Sequence, residues 1–200
     1  PLAQLIEEQG KPVLPLEQLA AMHIDEEKGI ATVEDAWQGA CDIVAENISD
    51  SADVRKLLRK ELQSTGELVS ELIIDEKDAP EFLQYRDYSE PVRQLPPHRI
   101  LAMNRGEDKK ALKISLRCPD EKLIAKVAQK LNLKEQSPFY TYYHNALTDS
   151  YKRLLLPSLE RELRNELTEK AEKQAISVFA ANLRQLLLTQ PISGHTVLGL

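Results

Sequence analysis

Between Pro157 and Pro191 the chain runs for 33 residues, Ser158 to Gln190, without a glycine or a proline. Those two residues interrupt helices, and the stretch is filled instead with Leu, Glu, Ala, Arg and Gln, which favour them. At 1.5 Å per residue the run makes a helix of about 50 Å. A compact chain of this size has a radius of gyration near ~16 Å and is only about 40–45 Å across. The helix therefore spans or overshoots its own domain. Its apolar positions, Leu159, Leu163, Leu167, Ala171, Ala175, Phe179, Leu183 and Leu187, recur every four residues. Each step drifts by about 40°, so the stripe turns through roughly 280° over its length. A two-stranded coiled coil would keep one seam on a 3.5-residue repeat. This helix turns different faces to different neighbours, as a strut between modules does.

Seven glycines and three phenylalanines among many Leu, Ala, Glu and Lys also favour helix over sheet. The fold class expected is mainly α: a multi-helix scaffold with a few short strands and the long C-terminal strut helix. Residues 1–66 read as a helical subdomain. Within it Thr32 is an N-cap answered by Asp35, and the helix it opens buries Val33, Ala36, Trp37, Ala40, Cys41, Val44 and Ile48. Another helix runs from about Ala52 to Gln63. Residues 67–137 read as a mixed α/β subdomain. Leu68 to Ile73 is either a helical turn or a strand, and an acidic helix follows near Ala79 to Tyr85. A helix starting after Pro97 should stop at Gly106. The alternation over 111–118 marks a strand, and Asp120 caps the next helix. Residues 138–191 form the long helical segment. Residues 192–200, with the run Gly194 to Leu200, read as the opening strand of a further domain. That reading, together with a first residue Pro1 in place of methionine, predicts a piece of a larger protein.

The formal net charge of -6 argues against a nucleic-acid clamp. The average conceals an asymmetry. Glu61 to Glu90 carries nine acidic and two basic residues, a local charge of -7, whereas Val92 to Cys118 carries seven basic and two acidic, +5. Two solvated faces would explain this; so would a basic edge that meets phosphate or an acidic partner. The longest apolar runs are a few residues, far short of the roughly 18 a membrane span needs. Cys41 and Cys118 both sit in apolar patterns and are read as buried, reduced thiols. The compartment expected is the cytoplasm.

The sequence carries few residues in patterns that do chemistry. His23, His98, His144 and His195 show no metal-ligand spacing. There is no Gly-x-Ser-x-Gly elbow, no phosphate-binding loop and no dinucleotide glycine motif. No catalytic residue, cofactor or metal is assigned, and the chain is not read as an enzyme. The aromatic cluster Phe139, Tyr140, Tyr142, Tyr143 and Tyr151 is either a base-stacking platform or, preferred, a helix entrance packing on the strut with its hydroxyls at the surface. Arg99 either pairs with the acidic stretch before it, which is preferred, or meets a phosphate. The candidate nucleic-acid contacts are Arg93, Arg99, Arg105, Lys109, Lys110 and Lys113.

Pro97-His98-Arg99-Ile100-Leu101-Ala102-Met103-Asn104-Arg105-Gly106-Glu107 resembles a signature of the bacterial transcription accessory protein family Tex. Ile24-Asp25-Glu26-Glu27-Lys28-Gly29, Tyr85-Arg86-Asp87-Tyr88 and Tyr151-Lys152-Arg153-Leu154-Leu155-Leu156-Pro157-Ser158 are similar to further landmarks of that family, in its order. Gly194 to Leu200 resembles the first strand of its RNase H-like domain. The resemblance implies a multidomain cytoplasmic protein related to a eukaryotic elongation factor that travels with RNA polymerase and chromatin. Its implied parts are a helical N-terminal region of helix-turn-helix character, the RNase H-like domain, helix-hairpin-helix motifs and an OB-type RNA-binding domain. An aspartate follows the position of Leu200 in that family.

The expected function is thus a scaffold that positions the RNA-binding modules of a transcription accessory protein. RNA or DNA would be met through the larger protein, with transcription machinery as a further partner and no membrane. The competing readings are a protein-binding module without a nucleic-acid role and a piece of an RNase H-type nuclease, whose site would need clustered carboxylates for two metals.

Overall fold

A computed structural model describes residues 1–25, 27 and 29–188. The run Gly194 to Leu200 and the expected segment 192–200 lie outside the described residues. The architecture is mainly α, with eight α-helices and one small sheet among the described residues. In chain order it comprises α1 (Leu2–Glu8), α2 (Leu16–Ala21), α3 (Val33–Asp50), α4 (Ala52–Thr65), β1 (Glu67–Leu72), β2 (Asp87–Pro91), α5 (Pro97–Asp108), β3 (Leu112–Arg117), α6 (Asp120–Lys130), α7 (Tyr140–Asp149) and α8 (Leu156–Leu187).

Local signals set most helix starts. The Thr32 hydroxyl accepts the Asp35 N–H at 3.1 Å, and the Asp35 carboxylate accepts the Thr32 N–H at 3.0 Å. This reciprocal box opens α3, which buries Ala36, Trp37, Ala40, Cys41, Val44, Ala45 and Ile48. The Ser51 hydroxyl accepts the Val54 N–H and caps α4 from one side only, with Val54, Leu58 and Leu62 inward.

The stretch left open between turn and strand is β1. It lies at the centre of an antiparallel sheet of order β2-β1-β3. Leu68, Ser70 and Leu72 stand opposite Leu116, Ile114 and Leu112 on one face. The other face pairs Glu67 with Arg117 and Glu71 with Lys113 in register. Ser70, on the leucine face, is fully buried, its hydroxyl donating to the Tyr85 carbonyl at 2.6 Å. The acidic segment expected as an α-helix is 3-10, from Pro80 to Tyr85, too short to gain from the wider ladder.

Two further expectations change. α5 does not stop at Gly106 but continues to Asp108. A Cβ at Gly106 would stand 2.5 Å from Leu112 Cδ1, so the glycine serves close approach of helix and sheet. The chain turns instead at Lys110, whose φ is 55°. Asp120 is the first residue of α6 and does not cap it; its carboxylate accepts the Tyr151 hydroxyl at 2.7 Å and the Cys118 thiol at 3.1 Å.

α7 and α8 are joined by a π-helical segment, Ser150–Leu155. Pro157, in the first turn of α8, brings no N–H to the ladder, and the wider turn before it accommodates that gap. In the aromatic cluster Tyr142 stacks on Trp37 of α3 at 4.3 Å between ring centroids, and Phe139, Tyr143 and Tyr151 are buried in the apolar cluster that also holds Leu159 and Leu163 of the strut. The Tyr151 hydroxyl is inside, bound to Asp120.

Two apolar clusters meet at α8. The larger gathers α1 to α4, α6, α7 and the start of α8 through Leu159 and Leu163. The smaller lies between the sheet, α5, the Pro80–Tyr85 turn and Ala171. Leu167 packs against both. Beyond Ala171 every described residue of α8 is exposed, including Phe179, Leu183 and Leu187. The helix thus turns successive faces to two neighbours and then stands clear of the described body. No helix among the described residues is long and apolar enough to cross a membrane.

Candidate nucleic-acid interface

The six candidate cations do not gather on one surface. Arg99 lies in the first turn of α5, half-buried, and reaches back to β2. Its guanidinium donates to Glu90 at 2.8 Å and to the Tyr88 hydroxyl at 2.6 Å, and stands 5.1 Å from the Tyr88 ring centroid. Lys109, at the end of the same helix, donates to Glu81 at 2.9 Å and lies 5.5 Å from the Phe82 ring. That hydrogen bond holds the Glu81 carboxyl below the usual carboxylate range. Lys113 points from the outer face of the sheet, opposite Glu71. The acidic stretch and the basic stretch of the sequence are therefore folded against each other: Arg99 and Lys109 are held in ion pairs, and Lys113 stands in register with Glu71.

Arg93, Arg105 and Lys110 are exposed, and no ion pair engages them among the described residues. Arg93 sits in the turn before α5 beside Glu166 and Lys170 of α8. Arg105 lines a groove of about 700 Å³ between α5 and α8. α8 adds Arg161 and Arg164 to that groove, which the sequence reading missed. The signal was available: 161 and 164 lie one turn apart beside Leu163 and share a face of the long helix. Arg164 donates to Glu107 at 3.0 Å, and Asp108, Glu160 and Glu172 also line the groove. Its charge is mixed in sign, with three arginines facing four carboxylates.

The α8 carboxylates have structural work. Glu162 accepts from both Arg55 and Arg59 of α4, which draws its carboxyl below the usual range. Glu160 accepts the Leu116 N–H of β3 at 3.0 Å. No group of His, Cys, Asp or Glu side chains that would hold a metal ion occurs among the described residues. Both cysteines are free, and burial pushes each thiol up to about 11.

Comparison with known proteins gives a consistent set. The family model described as Tex central region-like matches residues 11–179. The uncharacterized protein YdcI of Bacillus subtilis is 41% identical over 184 residues, which is 90% of this chain and 25% of the relative. Protein tex of Bordetella pertussis is 35% identical over 196 residues, 91% of this chain and 25% of the relative. The human S1 RNA-binding domain-containing protein 1 is 36% identical over 185 residues, 86% and 19% respectively. The chain spans about a quarter or less of the length of these curated relatives.

Proposed function

The chain belongs to the Tex family, and from that membership we propose that it is a scaffold that sets the position of RNA-binding modules in a cytoplasmic transcription accessory protein, without chemistry of its own. The observation that carries this reading is α8. Its first half is anchored in both apolar clusters, and its second half offers Ile176, Phe179, Leu183 and Leu187 outside the described body. A helix held firmly at one end and apolar at the other is built to seat something further along it. The names of two relatives, one a Tex protein and one an S1 RNA-binding protein, supply the nucleic-acid side of the proposal.

Direct contact with nucleic acid by this chain is assigned to Arg93, Arg99, Arg105, Lys109, Lys110 and Lys113. Arg93, Arg105 and Lys110 lead that set because they are exposed and form no ion pair among the described residues. A titration with single- and double-stranded RNA and DNA at about 50 and about 200 mM salt tests it, since phosphate contacts make the logarithm of affinity fall linearly with that of salt. Weak binding that falls steeply with salt, and falls further in Arg93→Ala/Arg105→Ala/Lys110→Ala, is expected. Tight binding indifferent to salt, or metal-dependent cleavage of the probe, would replace the scaffold reading with a specific reader or a nuclease.

A further inference from the structure

The groove between α3 and α7, closed at one end by α2, has a volume of about 520 Å³ and plays no part in the function proposed above. Its floor is apolar and aromatic. Val33, Trp37 and Cys41 line it from successive turns of α3, and Tyr142 of α7 lies half-buried over Trp37. Its rim is acidic. Glu34 and Asp42 stand two turns apart on α3, Glu17 comes from α2 and Asp149 from the end of α7. No lysine or arginine lines it among the described residues.

Local neutralisation is incomplete. Arg153 chelates Asp149 through contacts of 2.7 and 3.1 Å, and Gln38 donates to Asp42 at 2.9 Å. Glu17 and Glu34 have no such partner among the described residues. Tyr142 feels the excess: burial first, and with it the negative charge of Glu34 and Glu17, push its phenol above the ordinary value. Its hydroxyl makes no hydrogen bond among the described residues.

We propose that this groove docks an extended basic segment of a protein partner, with one arginine or lysine laid across Tyr142 and its charge held by Glu34 and Glu17, and a second cation met by Asp42. Groove and segment are complementary in charge and shape. An aromatic face among unpaired carboxylates attracts a guanidinium by cation–π and by Coulomb forces together, and an acidic groove repels nucleic acid. The spacing agrees. Eight residues of α3 separate Glu34 from Asp42, about 12 Å along the axis, and cations four residues apart on an extended chain stand about 13 Å apart.

Trp37 is the only tryptophan in the sequence and stacks on Tyr142, so its fluorescence reports the groove directly. The probe is a short Gly/Ser peptide with arginines four positions apart; the control peptide carries glutamines in their place. Expected is a saturable change in Trp37 emission with the arginine peptide and none with the control. Glu34→Gln/Asp42→Asn should weaken binding about tenfold, while Glu169→Gln/Asp50→Asn, away from the groove, should not. Circular dichroism confirms that both variants are folded. No saturable change, unaltered binding by Glu34→Gln/Asp42→Asn, or an equal response to spermine or calcium would overturn the proposal. So would an emission change that follows self-association of the chain instead of peptide.

Discussion

Gly106 shows how a single residue can be misread when only its neighbours along the chain are known. Glycine near a helix end is normally a stop, yet here the missing side chain lets α5 approach β3, with Leu112 and Phe82 filling the space. Gly106→Ala should lower stability by about 1–3 kcal/mol through overpacking, offset by at most about 1 kcal/mol of helix propensity; the urea midpoint measures the balance. Thr32 with Asp35 was legible because both partners lie within four residues. Asp120 was not, because its partner Tyr151 is distant in sequence and only the fold brings it there. The thiols give a pH dependence of definite sign. Each is raised from 9.0 to about 11 in the folded chain, so between those values the folded state holds protons that the unfolded state has released. Their contribution is complete below about pH 9 and is lost as pH rises to about 11. Urea midpoints measured across that range should fall with pH, and less steeply in Cys41→Ala.

Among the elements, the helices with alternating apolar turns were read from sequence, and β1 was not. A central strand is flanked on both sides, so Leu68, Val69 and Ser70 are all buried and the period-two signal is blurred. The edge strand β2, with Asp87, Ser89 and Glu90, carries almost no apolar signal and was missed as a strand. α8 was legible as a helix because nothing in it opposes helix formation. Where it leaves the core was not legible, since Leu163 and Phe179 occupy equivalent positions in one sequence pattern. The structure separates them sharply: Leu163 is 4% exposed and Phe179 is 67% exposed. Leu163→Ala should cost about 2–5 kcal/mol, whereas Phe179→Ala should change stability by no more than about 0.5 kcal/mol. Thermal or urea unfolding of the two variants side by side checks the contrast. A large loss from Phe179→Ala would mean that the second half of α8 is already covered in solution.

For the whole molecule, the joint between the two apolar clusters matters most. Leu167 touches both, and the Arg164–Glu107 and Asn104–Thr168 contacts bind α5 to the same stretch of α8. The chain should therefore unfold in one transition, with Trp37 fluorescence and far-ultraviolet circular dichroism giving the same midpoint. Leu167→Ala should pull the two probes apart, the sheet and α5 melting before the α3 cluster; coincident midpoints in that variant would show that the clusters are coupled elsewhere. From Glu172 to Leu187 the helix continues for about 24 Å with nothing described beside it. That geometry is a lever with its fulcrum at Ala171, the last buried residue of the helix. A tilt of about 10° at the fulcrum would sweep the tip through about 4 Å, so a repacking too slight to alter either cluster would still re-aim whatever load the tip carries.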